Sequence, residues 1–238
     1  MRRFRELITA IRKKYSSDKF FADFEETYRL EPTRLRHYRS YDEALRLLDD
    51  ESWKILEEKA IKHFKNERRG QRKEGFFNQL NEAFAYRYLL RRGCQNIRFI
   101  KEATEKTPDI SFVDRGIEGY CEVKTIGLSD AEIRRRETPG IKDHNVYFDL
   151  STKIKRTLED DVRQAWEQIH SRGENGLVFI LIRFDDIASD NDKRHRKQLI
   201  EFCRSRGFEN LVLKIDHRGN KGIRIKGRLA VGTRYKSL

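Results

Sequence analysis

Cysteine is scarce in this chain, and the little there is lies scattered. Cys94, Cys121 and Cys203 form no C-x2-C pair, which argues against a zinc ribbon or a four-cysteine iron–sulfur site. A reducing, intracellular location, the cytoplasm, is therefore the expectation. Long apolar runs are also missing: none approaches the roughly 20 residues that span a bilayer, and no membrane partner is expected. The opening residues, MRRFRELITAIRKKY, have no uninterrupted apolar core, so a secretory signal is not expected. Phe4, Leu7, Ile8, Ile11 and Tyr15 recur there at helical spacing instead. An Arg-rich mitochondrial transit peptide would share that pattern and is the alternative. The six histidines make no H-x-x-x-H or His–Cys cluster, and no internal repeat or low-complexity linker breaks the chain.

What the chain has in excess is charge. Charged residues make up 38% and apolar residues 37%, a polar balance for a folded protein, but 11% aromatics argue against disorder. The net charge of +13 over 238 residues favours a polyanionic partner: DNA, RNA or an anionic membrane surface. The excess forms no basic tail, being +5 over residues 1–74 and +8 over residues 75–238. Its clusters are Arg68-Arg69, Arg72-Lys73, Arg134-Arg135-Arg136, and Lys193-Arg194 with Arg196-Lys197. Any one of them reads as solvated surface. Together they suit contacts to phosphates, which are independent of base sequence and sensitive to salt.

Residues 1–68 read as helical throughout. An apolar stripe from Leu45 to Phe64 has helical spacing, and Tyr41-Asp42-Glu43 reads as its entry. The polar, basic stretch NERRGQRK marks a soft boundary, giving a helical region over 1–68 and an α/β domain over 69–238. From Gly75 the pattern changes. Phe76–Arg92 is expected to be a helix with Gly93 just past its last turn. Strands are expected at Asn96–Lys101, Asp109–Val113 and Tyr120–Ile126. Ser151–His170 is expected to be a helix burying Leu158, Val162, Ala165, Trp166 and Ile169. GLVFILIRF, residues 176–184, reads as a central strand buried on both faces. A helix over 192–205 and strands near 211–215 and 223–225 complete an α/β order with a mixed sheet flanked by helices.

Three ionic residues stand out against that pattern. Alternation along a strand points Glu122 and Lys124 the same way as Tyr120 and Ile126, with Cys121, Val123 and Thr125 on the other side, where they can pack into the core. Pairing of the two strands would bring Asp109 towards Glu122. Two carboxylates in a partly desolvated site repel unless a cation lies between them. Hard oxygen donors of this kind suit Mg²⁺ or Mn²⁺. Lys124, one step along the same face, is placed to stabilise a phosphate oxygen or an attacking water. Each residue also has a plainer reading. Asp109 could open a strand, Glu122 and Lys124 could stripe a wet sheet face, and Glu57-Glu58-Lys59 shows that acid-x-Lys also occurs on a helix.

Pro108-Asp109, twelve intervening residues and then Glu122-Val123-Lys124 resemble the signature of the PD-(D/E)xK nuclease superfamily. The resemblance covers roughly residues 75–215. It implies a restriction-endonuclease-like core and hydrolysis of phosphodiester bonds leaving 5′-phosphate and 3′-hydroxyl ends. By that resemblance Asp109, Glu122 and the Val123 carbonyl hold the metal, and Lys124 positions or activates the water. Glu82, in the helix before the sheet, matches an acid that supports water or a second ion. The helix after the motif lysine contributes a polar residue, for which Gln164 and Gln168, one turn apart, are the candidates. Glu82 can equally be an ordinary helix acid, and the glutamines an ordinary polar face. The expected protein is a metal-dependent nuclease acting on nucleic acid, DNA in preference to RNA, whose N-terminal helices position substrate or mediate dimerisation. A binding or scaffolding protein of the same fold without turnover is the rival. A membrane-surface protein using the basic first helix is a third reading.

Overall fold

Asp49 divides the apolar stripe that the sequence suggests is one helix. Its carboxylate accepts a hydrogen bond from Ser52 N at 2.7 Å, starting a new helix at Asp50. The structure, a computed structural model, describes residues 1–67, 72–101, 106–127, 133, 149–183, 191–216 and 222–225. The chain forms two compact units, Met1–Lys101 and Glu102–Leu238.

The first unit holds α1 (Arg3–Lys14), α2 (Phe24–Leu30), α3 (Pro32–Leu45), α4 (Asp50–Lys62), α5 (Glu74–Arg91) and β1 (Gln95–Phe99). Tyr41 and Asp42, expected at a helix entry, lie instead inside α3, which starts earlier with Pro32 in its first turn. Asp42 is buried and serves a different helix: its Oδ1 accepts from Phe4 N, at the start of α1, at 3.1 Å. Arg3 does the converse, donating to the carbonyls of Leu45 and Leu48 at 2.9 and 2.8 Å where α3 ends. Phe4, Leu7, Ile8 and Ile11 are all buried, so the spacing at the N-terminus is that of a packed helix. The core is rich in rings. Phe21, Phe64 and Phe76 lie 5.6–6.0 Å apart, centroid to centroid. Phe76 belongs to α5, so α5 shares the core of the N-terminal helices. That is why the units divide after Lys101, whereas composition suggests residue 68.

The second unit holds β2 (Ile110–Asp114), β3 (Ile117–Ile126), α6 (Thr152–His170), β4 (Gly176–Arg183), α7 (Asp192–Ser205), β5 (Leu211–Asp216) and β6 (Gly222–Ile225). These five strands lie in one mixed sheet in chain order. The β2/β3 and β5/β6 pairs are antiparallel, and β3/β4 and β4/β5 are parallel. Arg115 and Gly116 form the two-residue β2–β3 turn, both at positive φ (54° and 82°). Parallel neighbours need crossovers, and α6 and α7 supply them. Both helices pack on one face of the sheet. Leu158, Val162, Ala165, Trp166 and Ile169 of α6, with Leu199 and Cys203 of α7, meet Ile126, Val178, Ile180, Ile182, Leu211, Leu213 and Ile215. Each such aliphatic side chain contributes about 1.5–3 kcal/mol through burial. β4 is buried from Gly176 to Ile182, as a central strand requires. The fold is thus α/β, a five-stranded mixed sheet flanked by helices. Among the described residues no helix is long and apolar enough to cross a membrane.

Gly176 makes the α6–β4 junction possible. A Cβ there would stand 2.4 Å from Ile169 Cγ2 and 3.1 Å from the Tyr120 carbonyl. Gly176→Ala is expected to destabilise the protein by about 1–3 kcal/mol, read from the midpoint of a guanidinium unfolding curve. An unshifted midpoint would show that this junction yields freely.

Candidate active site

The register of β3 decides where its charges point. Glu122 stands beside Val178 of β4, Lys124 beside Ile180 and Ile126 beside Ile182. Those four β4 and β3 aliphatics belong to the core under α6 and α7, and Tyr120 packs against it. Glu122 and Lys124 therefore share a side, as the alternation predicts, but that side faces the crossover helices. The pattern suggests core packing instead for the side of Cys121, Val123 and Thr125; of these three only Cys121 is fully buried. Glu122 is 3% exposed and Lys124 half-buried.

Asp109 sits just before β2, where Ile110 pairs with Cys121. One step further in that register places Asp109 across from Glu122, and opposed residues of an antiparallel pair share a face. Two hydrogen bonds tie Asp109 to β3. Its N–H donates to the Cys121 carbonyl at 3.1 Å, and its Oδ2 accepts from Val123 N at 2.9 Å. The N–H and C=O of one strand residue leave the same edge, so the Val123 carbonyl also leaves β3 on the side where Asp109 lies.

Lys124 joins the parts. Its ammonium donates to Glu122 Oε1 at 2.7 Å and to Gln168 Oε1 of α6 at 2.6 Å. The Gln168 amide in turn donates to the Thr107 carbonyl at 3.3 Å. One α6 side chain thus connects the motif lysine to the segment that leads into Asp109. Gln164 is exposed on the same helix. The two glutamines differ because the buried stripe runs through Leu158, Val162, Ala165, Trp166 and Ile169. Gln168 borders that stripe, whereas Gln164 lies further round towards solvent.

Sequence reasoning missed Asp161. It lies two turns before Gln168 on the same side of α6 and is half-buried. Burial pushes its carboxyl up to about 6, against the pull of the Lys124 charge, with Asp160 adding to the rise. The signal was available: an acid seven residues from a candidate glutamine, flanking an apolar stripe, is on the glutamine's face.

Other expected site residues have different employment. Both carboxylate oxygens of Glu82 accept from Lys59 Nζ, at 2.8 and 2.9 Å, and the pair is buried within the first unit. The lysine of the helical Glu57-Glu58-Lys59 triplet is thus the partner of Glu82. Lys73, expected to contact phosphate, is 2% exposed. It pairs with Asp18 and Glu67 and lies 4.3 Å from the Phe64 ring centroid. Burial opposes its charge, but the hydrogen bonds to Asp18 and Glu67 outweigh burial and hold its pKa above the ordinary value. Lys73 is therefore an internal tie and not a surface contact. Arg72 is exposed, over the Phe20 ring. Lys193 and Arg194 are exposed, and Arg194 pairs with Asp149 at 2.8 Å. Arg134, Arg135 and Arg136 lie outside the described residues.

The donors suited to a cation are the carboxylates of Asp109 and Glu122 and the Val123 carbonyl. All are hard oxygen, the chemistry that Mg²⁺ and Mn²⁺ take, and Mg²⁺ is commonly held by one or two carboxylates with waters and phosphate oxygens completing its shell. Among the described residues no group of three His, Cys, Asp or Glu side chains is arranged to hold a metal. Two carboxylates and one carbonyl would make up part of such a shell. No protein-family model, curated protein or solved structure matches the chain.

Two outcomes follow from this chemistry. Glu82→Gln leaves the Lys59 ammonium buried without its counter-charge and is expected to cost about 3–5 kcal/mol of stability, measured by chemical unfolding. Unchanged stability would free Glu82 for another role. Asp161 holds its proton more tightly folded than unfolded, where its ordinary value is 3.8. Its contribution to stability is therefore full at low pH and lost as pH rises from about 4 to about 6. The stability difference between Asp161→Asn and the parent should grow in favour of the variant across that window. A difference independent of pH would contradict the shift.

Proposed function

We propose that the protein is a divalent-metal-dependent nuclease with a PD-(D/E)xK site on a restriction-endonuclease-like core. The observation that carries this reading is the joint placement of Glu122 and Lys124 on the helix-covered side of β3, with Asp109 across from Glu122 and bonded to the Val123 amide. An antiparallel β2/β3 pair followed by a helical crossover to a parallel β4 is the order that the resemblance implies.

Asp109, Glu122 and the Val123 carbonyl would hold Mg²⁺ or Mn²⁺, which when bound withdraws charge from a phosphate oxygen and makes water a better nucleophile. The chain's own residues do the rest. The Val123 N–H fixes the Asp109 carboxylate across from Glu122. Lys124 brings an ammonium to the same side as Glu122, where it donates to the attacking oxygen or a phosphate oxygen. Gln168 steers that ammonium and is the positioning residue from α6; this role passes to it from Gln164. The net charge of +13 favours nucleic acid as substrate, DNA before RNA. The first unit would position that substrate or pair with a second copy. Cys94, Cys121 and Cys203 are buried thiols outside any disulfide, which suits the cytoplasm.

A binding or scaffolding role without turnover is the second reading. It is favoured by the engagement of Glu122 Oε1 with Lys124 and by the lack of a three-residue metal cluster among the described residues. Cleavage of labelled DNA and RNA with Mg²⁺ or Mn²⁺ decides between them. Asp109→Ala, Glu122→Gln and Lys124→Ala should each lower the rate by about 100-fold or more, and a chelator should abolish it. Full activity in Asp109→Ala would overturn the nuclease reading. A rise in Tm with Mg²⁺ that Glu122→Gln removes would place the cation at this site.

A further inference from the structure

Helices α3 and α5 of the first unit run in the same direction. His37 faces Phe77, the Tyr41 hydroxyl bonds Asn81 at 2.8 Å, and Glu43 reaches Arg87 at 3.8 Å. Their C-terminal halves therefore lie side by side, and this end of the pair is dense in arginine. Arg87 and Arg91 are one turn apart on α5, and Arg46 lies one turn beyond Glu43 at the end of α3. Arg46 is 60% exposed and reaches Asp42 at 3.9 Å, whereas the Arg87 side chain is 12% exposed and lies along the Phe84 ring at 5.1 Å.

Arg46 and Arg91 have an ordinary explanation. Cations in the last turn of a helix offset its dipole. Arg87 lies deeper and does not fit that account. Its pair with Glu43 is at the outer limit of an ion pair, and Glu43 is itself 66% exposed. Burial depresses its pKa, and repulsion from Arg91 outweighs the attraction of Glu43. A half-buried guanidinium is thus held where its neighbours disfavour its charge, and an added anion would reverse that balance. Planar guanidinium forks match the oxygens of phosphate.

We propose that Arg46, Arg87 and Arg91 form a phosphate-binding patch on the first unit that grips the backbone of a nucleic acid. This rests on the reading of the partner as nucleic acid but not on catalysis, since Asp109, Glu122 and Lys124 belong to the second unit. The patch reads phosphate and not sequence. Leu47 and Leu90, 40% and 42% exposed, are the chain neighbours of Arg46 and Arg91 and give it an apolar margin. Two separate leucines are too little to seat the patch in a lipid surface, which takes a continuous apolar helix face.

The test is fluorescence anisotropy of a labelled DNA duplex with the full chain in excess chelator, so that no cleavage occurs, from about 50 to about 200 mM salt. Arg46→Gln with Arg91→Gln, both at exposed positions, should weaken binding for every duplex sequence and flatten the plot of log affinity against log salt by about 1–2. Arg87→Gln should weaken it further, and Glu43→Gln should tighten it. Affinity and slope unchanged in the double variant would overturn the patch. So would arginine-dependent binding to vesicles of equal parts phosphatidylserine and phosphatidylcholine without binding to the duplex. Asp109-dependent cleavage with an unchanged double variant would leave the nuclease reading standing and the patch refuted. Arginine-dependent binding by a protein that never cleaves would do the reverse.

Discussion

The register of β3 between its two neighbours is the constraint on which the second unit depends. β3 is antiparallel to β2 and parallel to β4. A slip of one residue would turn Tyr120 and Ile126 out of the core and bring Cys121, Val123 and Thr125 under α6. It would also carry Glu122 and Lys124 away from Gln168. The apolar alternation that secures the fold and the polar alternation that makes the site are one pattern. The buried face of α6 packs on that side of the sheet through Leu158, Val162 and Ile169.

Lys124 concentrates the consequences. A lysine half-buried beside a nearly inaccessible glutamate would be costly without good partners. Glu122 Oε1 and Gln168 Oε1 supply them at short distances. The same ammonium tempers the charge of Asp161, whose carboxyl burial alone would push higher. Two acids, a lysine and an amide from two elements therefore form one electrostatic unit, with Asp109 pinned beside it by the β3 backbone.

In the first unit, by contrast, much of the basic charge is spent internally. Arg3 ends α3, Lys59 neutralises Glu82, and Lys73 ties Asp18 and Glu67 together. The count of 52 Lys and Arg thus overstates how many basic groups face a partner. Arg87 of α5 matters because its surroundings do not neutralise it to the same degree.

Local pattern was enough for much of this. The period-2 alternation around Glu122 and Lys124, the unbroken apolar run of β4 and the stripe of α6 each state a face and a partner type, because burial acts on every residue of an element at once. The spacing from Asp109 to Glu122 likewise depends only on a short hairpin. Other features needed the fold. Which glutamine meets Lys124 depends on the rotation of α6 over the sheet, a matter of tens of degrees that Gln164 and Gln168 do not reveal in sequence. Whether Glu82 and Lys73 face a site or each secure a core depends on Lys59, 23 residues from Glu82, and Asp18, 55 residues from Lys73, which become neighbours only when helices pack. Composition and periodicity determined the elements and which residues of β3 share a side. Tertiary packing decided which charges are spent inside and which remain for chemistry, because an ionic side chain takes its role from the partner that folding brings to it.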